Sequence, residues 1–327
     1  MNVRAIVQRG YGLPERVLEL RDDVAKPLVS DDDVLVKVNA ASVNAGDWRV
    51  IFARPAFIRL TTGVRRPKSS AVGVDAAGVA EAVGKDVSHV VPGDEVFGMR
   101  NGAFADYVSG KSFVRKPANL SFAEAAAVPA AGCTALQAVR DHGRIKAGER
   151  VLINGAGGGV GIYAVQLAKA LGGDVTAVTR GDCLEMVRDI GADRVIDYGS
   201  EDFTRSSERY DLIVDCGGKP SVRAFRRVLA PTGRLVLVAA GKGPLGVLGR
   251  LVGSQVRARL LGQPVINFIA KAPFVENLDT LRQLIEEGKV RPVIERTYPL
   301  EQAAEAISYL ETERARGKVV ITVAEDA

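Results

Sequence analysis

Residues Val151 to Lys169, VLINGAGGGVGIYAVQLAK, decide the fold. Val151 to Asn154 suit a buried strand, and Gly155 to Gly161 make a seven-residue turn holding five glycines. Ile162, Val165, Leu167 and Ala168 then recur at helical spacing. A strand that feeds a helix through a glycine turn aims backbone N–H groups and a helix N-terminus at a pyrophosphate. Side chains would block that approach, so the turn must be nearly bare. In the G-x-G-x-x-G register Ala156 takes the first place, Gly158 the second and Gly161 the third. Ala156, Gly157, Gly158, Gly159, Val160 and Gly161 are therefore the candidate cofactor-binding residues of a nucleotide site.

Strands and helices alternate on both sides of this motif. Expected strands are 150–154, 174–178, 193–197, 210–215, 234–239 and 263–269, with helices between most of them, notably 182–190 and 220–229. Six strands with helical crossovers make a doubly wound parallel sheet. Earlier in the chain the pattern differs. Residues 3–8, 16–20, 33–40 and 103–108 alternate or run apolar as strands do, and helical periodicity is nearly absent before residue 115. Ser42 to Val50 is expected to end a strand and enter a polar turn. Gly73 and Gly78 inside the apolar stretch 71–83 mark a bend or a close backbone approach. A β-rich, partly barrel-like unit follows from this. Ser121 with Glu124 is a capping-box pattern that opens a helix over 122–128, and 132–139 begins another. At the far end, 277–287 and 300–310 are expected helices and 317–323 a closing strand.

The chain of 327 residues is long enough for two domains. Its three cysteines, Cys133, Cys183 and Cys216, have no paired spacing, which argues against a disulfide framework and fits a reducing compartment. The N-terminus resembles neither a signal peptide nor a transit segment, and no stretch approaches a membrane-spanning length, so the expected location is the cytoplasm. Two acid-free runs stand out. One lies between Asp47 and Asp75 with Arg49, Arg54, Arg59, Arg65, Arg66 and Lys68; the other lies between Asp215 and Glu276. Each can be a solvated face, or a surface attracting an anionic ligand or an acidic membrane. Within the second, 242–271 mixes Leu and Val with Arg250, Arg257 and Arg259, and is a cleft-lining lid or a membrane-surface contact. Nothing points to nucleic acid.

The ordered motifs ASVNAGDW (41–48), VGVDAAG (72–78), VPGDEVFG (91–98), AAAVPAAGCTALQA (125–138), VLINGAGGGVGIYAVQLAKALG (151–172), IGADRVIDY (190–198), EGKVRPVIERTYPLEQAAEAI (287–307) and RGKVVITV (316–323) span nearly the whole chain. With them the chain resembles the medium-chain dehydrogenase/reductase superfamily, in its zinc-free, quinone-oxidoreductase-like branch. The resemblance implies a Rossmann sheet inserted in a GroES-like β-barrel catalytic domain. Its expected parts are 1–122 and 289–327 for the catalytic domain and 123–288 for the dinucleotide-binding domain. It also implies a cleft between domains for nicotinamide and substrate, and a homodimer formed through the edge strand 263–269.

The strand over 174–178 ends in Thr179-Arg180, with no acid before Asp182. An NAD site needs a carboxylate there for the ribose 2′-OH, whereas a 2′-phosphate suits a guanidinium. NADP(H) is therefore the expected cofactor. The resemblance adds Tyr198 and Arg316 as further 2′-phosphate partners, and Thr134 as a residue reaching the cofactor phosphates. It places Asn44 opposite nicotinamide and substrate, as a catalytic and cofactor-binding hydrogen-bond donor. Zinc-dependent relatives need a cysteine where Asn44 stands and a His-Glu pair where Val74-Asp75 stand, so no metal is expected. Arg49 occupies the place of a tyrosine that many relatives offer as a proton donor, leaving solvent as a proton source.

Without a Lewis acid, acceptors that spread negative charge by conjugation are favoured. The expectation is an NADPH-dependent reductase of quinones or α,β-unsaturated carbonyls. The alternatives are an NADP-dependent alcohol/aldehyde oxidoreductase and a low-turnover NADPH-binding sensor or structural protein.

Overall fold

The computed structural model describes residues 1–238, 265–267, 274–312 and 315–324. They fall into two compact units, one built from Met1–Ala130, Ala272–Glu286 and Pro292–Ala327, the other from Ala131–Lys271 and Glu287–Arg291.

The first unit is β-rich. Its sheet runs in the order Ile294–Pro299, Lys318–Thr322, Val34–Val43, Asp75–Val83, Glu95–Met99, Ser112–Arg115, and Tyr107–Gly110 also pairs with Val34–Val43. Only the first pair is parallel. The closing strand therefore lies beside Val34–Val43, with Val319 opposite Val43. On the other side of the same strand Ser42 stands opposite Asp75. Alternating Val34, Val36 and Val38 face Phe104, Phe113, Ile307, Val319 and Ile321 in one core, which fits the period-two pattern of a half-buried strand. A short hairpin of Asn2–Gln8 and Leu18–Ala25 pairs antiparallel.

The second unit holds a parallel sheet ordered Arg194–Asp197, Asp174–Thr179, Arg150–Asn154, Tyr210–Asp215, Leu229–Leu237, Val265–Asn267. The chain moves one way from the central strand Arg150–Asn154, then returns to its other side at Tyr210–Asp215. Such a reversal opens a crevice at the carboxyl ends of the two strands. The middles of the central strands, Val151–Ile153 and Leu212–Val214, are apolar and fully buried, as burial on both faces demands.

Several expectations shift. Residues 16–20 split into a short helix Pro14–Val17 and the start of strand Leu18–Ala25. The stretch after Ser42 is a helix, Ala45–Phe52, not a polar turn. The strand expected from residue 71 begins at Asp75, because Gly73 takes a left-handed φ of 81° beneath the Phe104 ring. The helix after Pro129 runs through Leu136 and widens into π-helical turns over Gln137–His142. The unit boundaries differ from 122/123 and 288/289 for a packing reason. Helix Phe122–Ala126 packs on the Val34–Val43 and Asp75–Val83 strands, and helix Phe274–Glu286 packs on Ser112–Arg115.

The basic runs are partly paired within the chain, at the surface for Arg54 and in the interior for Arg234. Arg54 pairs with Glu311 at 3.1 Å. Arg227 donates to the Thr204 hydroxyl at 3.1 Å. Arg234, about four-fifths buried, bonds the Gly143 carbonyl at 2.6 Å and both oxygens of Glu149. Lys242, Arg250, Arg257, Arg259 and Lys271 lie outside the described residues. Of segment 242–271 and strand 263–269 only Val265–Asn267 is described.

Replacing Arg234 by Met leaves the Glu149 carboxylate and the Gly143 carbonyl without their partner. Arg234→Met is expected to lower unfolding free energy by about 2–3 kcal/mol, measured by urea denaturation. Stability within about 0.5 kcal/mol of wild type would show the pair to be inert.

Candidate active site

In the second unit the site starts from the end of the central strand. Gly155 follows Asn154 with a φ of 80° and sits so close to the 215–218 turn that a Cβ would lie 2.7 Å from the Gly217 nitrogen. Its N–H and that of Ala156 both donate to the Val178 carbonyl, at 2.9 and 3.0 Å. The chain then turns back on itself, Gly158 N–H bonding the Gly155 carbonyl at 3.1 Å. A Cβ on Gly161 would overlap that same carbonyl, so the third glycine is required for the turn to close onto helix Gly161–Ala170. Gly158 is different. A Cβ there would meet nothing nearer than 3.5 Å, so internal packing does not require its bareness, and the turn keeps open backbone at that point. This is the fit a dinucleotide's diphosphate requires.

The floor of the crevice is stitched by one carboxylate. Asp215, fully buried, accepts from Asn154 Nδ2 at 2.7 Å, Gly217 N–H at 3.2 Å and Gly218 N–H at 2.9 Å. Sequence reasoning missed this pair, although each residue ends a strand of the expected parallel sheet. Thr179 is buried at the end of its strand. Arg180 follows it with its guanidinium forked onto Asp182, at 2.7 and 3.0 Å. Tyr198 is tied to the same strand end, its N–H donating to the Thr179 carbonyl at 3.1 Å, and its ring carries the Lys219 ammonium 4.7 Å from the centroid. Lys219 was visible in the sequence only as one member of an acid-free run. Thr134 is half-buried in helix Pro129–Leu136 of this unit. Arg316 belongs to the first unit, where it bonds Glu295 through its backbone N–H at 2.8 Å and its side chain at 3.1 Å.

In the first unit the site is built around Asn44. Asn44 precedes helix Ala45–Phe52 in an extended conformation, and its backbone N–H donates to Asp47 Oδ2 at 2.7 Å. Asn44 and Asp47 thus stand in a capping-box arrangement, with Asp in the place usually held by Glu or Gln, and the Asp47 N–H reaches the Asn44 backbone carbonyl at 3.0 Å. Freed from the cap, the Asn44 side chain turns to the strands. Its Nδ2 donates to Asp75 Oδ2 at 2.9 Å and faces the Ser42 carbonyl at 3.4 Å. Its Oδ1 accepts from Lys318 Nζ at 2.7 Å.

Asp75 has no exposure; its hydrogen-bond donors are Asn44, the Ser42 hydroxyl at 3.1 Å and the Ala130 N–H at 3.0 Å, and the Lys318 ammonium forms an ion pair with it at 3.7 Å. Lys318 is as deeply buried. Burial pushes the Asp75 carboxyl up and the Lys318 ammonium down, and their mutual attraction opposes both shifts. Burial likewise pushes Asp47 up to about 7, against the help of the Asn44 N–H. The sequence offered no sign of Lys318, which opens an apolar closing strand. A cation does sit between Asn44 and Asp75, and it is an ammonium.

One expectation for this unit changes. Both Asn44 amide hydrogens face acceptors of the chain itself, so the group with spare capacity is the carbonyl oxygen, and a donor role does not follow. Trp48 packs edge-on to Phe52, 6.3 Å between centroids, with Arg49 over its other side at 5.4 Å. Among the described residues no three His, Cys, Asp or Glu side chains gather as a metal site.

Comparison with known proteins places this geometry. Residues 30–140 match the family described as alcohol dehydrogenase GroES-like domain, and residues 190–321 match zinc-binding dehydrogenase. The chain belongs to the medium-chain dehydrogenase/reductase superfamily. It is 34% identical to 2-methylene-furan-3-one reductase of Solanum lycopersicum, over 93% of this chain and 75% of that protein. It is 32% identical to the chloroplastic NADPH-dependent alkenal/one oxidoreductase of Arabidopsis thaliana, over 98% of this chain and 79% of that one. Among solved structures the quinone oxidoreductase from Coxiella burnetii superposes with a TM-score of 0.86 at 31% identity, covering 99% of this chain and 100% of that chain. Among the described residues no helix is long and apolar enough to cross a membrane.

The Asp47 carboxyl yields a pH prediction. Its folded pKa of about 7 lies above the ordinary 3.8, so between these values the folded state holds a proton the unfolded state has lost. Stability therefore falls as pH rises through that window. Asp47→Asn keeps an acceptor for the Asn44 N–H and removes the ionisation. From about pH 5 to about pH 8, wild type is expected to lose about 1–3 kcal/mol relative to Asp47→Asn in urea unfolding. Parallel pH profiles would count against a buried, titrating Asp47.

Proposed function

We propose that the protein is a zinc-independent, NADPH-dependent oxidoreductase that reduces a quinone or an α,β-unsaturated carbonyl. The observation that carries this is the Lys318 ammonium seated between Asn44 and Asp75. In the resemblance these are positions where zinc-dependent relatives place metal ligands, and an ammonium supplies charge balance without polarising a substrate oxygen as a Lewis acid does. Conjugated acceptors need such help least, because the incoming electron pair is delocalised. The relatives named as alkenal/one, furanone and quinone oxidoreductases support the same reading.

When bound, the reduced nicotinamide supplies the hydride. The chain's contribution is binding and placement. The 155–161 turn and the N-terminus of helix Gly161–Ala170 hold the diphosphate, with Thr134 assisting. Arg180, together with Lys219 over the Tyr198 ring, receives the 2′-phosphate, with Tyr198 and Arg316 as further partners. Asn44 orients the reacting partners through its carbonyl oxygen. One hydride and one proton reach the acceptor in each turnover, and the proton comes from solvent, since Arg49 stands in place of a proton-donating tyrosine.

The test is oxidation of NADPH and of NADH by purified protein with a panel of quinones, enals and enones, followed by absorbance of the reduced nicotinamide. Turnover is expected with NADPH. Arg180→Gln should lower kcat/KM for NADPH by about 10- to 100-fold, the loss of one charge-assisted contact, and leave NADH nearly unchanged. Equal use of both coenzymes by wild type would overturn the cofactor assignment. NADPH binding without turnover of any acceptor would instead favour a sensor.

A further inference from the structure

Lys318 has no role in the function proposed so far beyond its charge, yet its contacts are specific. Its Nζ lies 2.7 Å from Asn44 Oδ1, 3.4 Å from the Val43 carbonyl and 3.7 Å from Asp75 Oδ2. An ammonium can only donate hydrogen bonds and an ionised carboxylate can only accept them, whereas a primary amide does either, depending on which way it is turned. Asn44 stands between one of each. Turned as found, its oxygen meets the ammonium and its nitrogen meets Asp75 at 2.9 Å. Turned over, NH₂ would face NH₃⁺ and C=O would face COO⁻, two repulsive contacts within buried surroundings where such errors are most costly.

We propose that Lys318 is a positioning residue that, with Asp75, locks the Asn44 amide in one orientation and presents its carbonyl oxygen as an acceptor for an amide N–H or hydroxyl of the bound cofactor or substrate. The remaining lone pair of Oδ1 is the only hydrogen-bonding capacity the amide retains, since its second N–H faces the Ser42 carbonyl at 3.4 Å. Asn44 is half-buried and Lys318 almost wholly so, which makes Asn44 the member able to meet a ligand and Lys318 the one that acts through it. The ammonium's own pKa is pushed down by burial and held up by Asp75 and Asp47, the groups whose carboxylates face it. The catalytic consequence rests on the hydride-transfer reading above; the amide lock does not.

The experiment uses the full-length protein labelled with ¹⁵N at asparagine side chains, with the Asn44 signal assigned by its loss in Asn44→Ala. In wild type the Asn44 NH₂ pair is expected to be resolved and to exchange with water at least about tenfold more slowly than exposed side-chain amides. In Lys318→Met the pair should broaden or shift as the amide samples both orientations. In kinetics, Lys318→Met should lower kcat about tenfold, with NADPH affinity within about twofold, and should cost nothing further in an Asn44→Ala background. A kcat penalty of the same size in both backgrounds, or an Asn44 signal unmoved by Lys318→Met, overturns the proposal. Should Lys318→Met not fold, the wild-type exchange rate decides alone, and exchange as fast as that of exposed amides overturns the lock. Failure to oxidise NADPH with any quinone, enal or enone of the panel defeats the functional reading, while the amide signal still reports on Lys318.

Discussion

A carboxylate shut off from water must be given partners, and Asp75 draws four of them from three separate stretches of chain. Ser42 comes from the neighbouring strand, Asn44 from the start of the following helix, Ala130 from a helix N-terminus and Lys318 from the closing strand. Removing one partner of such a pair leaves a buried charge uncompensated, at a cost of about 3–5 kcal/mol. The closing strand is thus held against the first unit's long strand by more than its ladder of backbone bonds. Asn44 inherits its geometry from this requirement. The apolar core around Phe104 and Phe113 stabilises the unit but does not decide where Asn44 points; the Asp75 carboxylate does.

The second unit solves an opposite problem. A phosphate-binding turn must leave its backbone uncovered, so the chain there has few side chains with which to hold itself. It is held instead by neighbours: the Val178 carbonyl takes two N–H groups of the turn, and Asp215 ties Asn154 to the glycines after the adjacent strand. Three glycines do separate work. Gly155 permits a left-handed turn, Gly161 permits close approach, and Gly158 keeps space free. Only the last of these is not required by the chain's own packing.

Local signals were the readable ones. The strand–turn–helix at 151–169, the parallel sheet and the Ser121–Glu124 cap each announce themselves within a few residues, and the structure has them, although the strand expected over 234–239 begins earlier, at Leu229. Helix Ala45–Phe52 was hidden because Asn, Gly and Asp at its start have the composition of a turn, although Asn44 and Asp47 already stood at capping-box spacing. The partner of Asn44 could not be read at all. Lys318 and Asn44 are 274 positions apart, and a lysine at the head of an apolar strand ordinarily lies in water. What buries it is strand order, with the closing strand inside the sheet beside Val34–Val43, and strand order is set by the whole unit. The same holds for Arg227 and Arg234, whose partners fold in from other elements and turn part of a basic run into internal structure.

The Arg180–Asp182 fork shapes how selective a 2′-phosphate site built here can be. Asp182 holds the guanidinium above its already high pKa and fixes its plane, so little side-chain entropy is lost when a phosphate arrives. The same carboxylate competes for the donors and repels the incoming dianion. The gain from Arg180 is therefore the difference between two anionic partners, not the full strength of a new pair. Lys219 is held by the Tyr198 ring face, a contact that orients a cation without neutralising it. On this arrangement Arg180 supplies the planar geometry and Lys219 the uncancelled charge. On the NADPH reading proposed above, preference for the phosphorylated coenzyme depends on both, and one arginine after the second strand is only part of such a site.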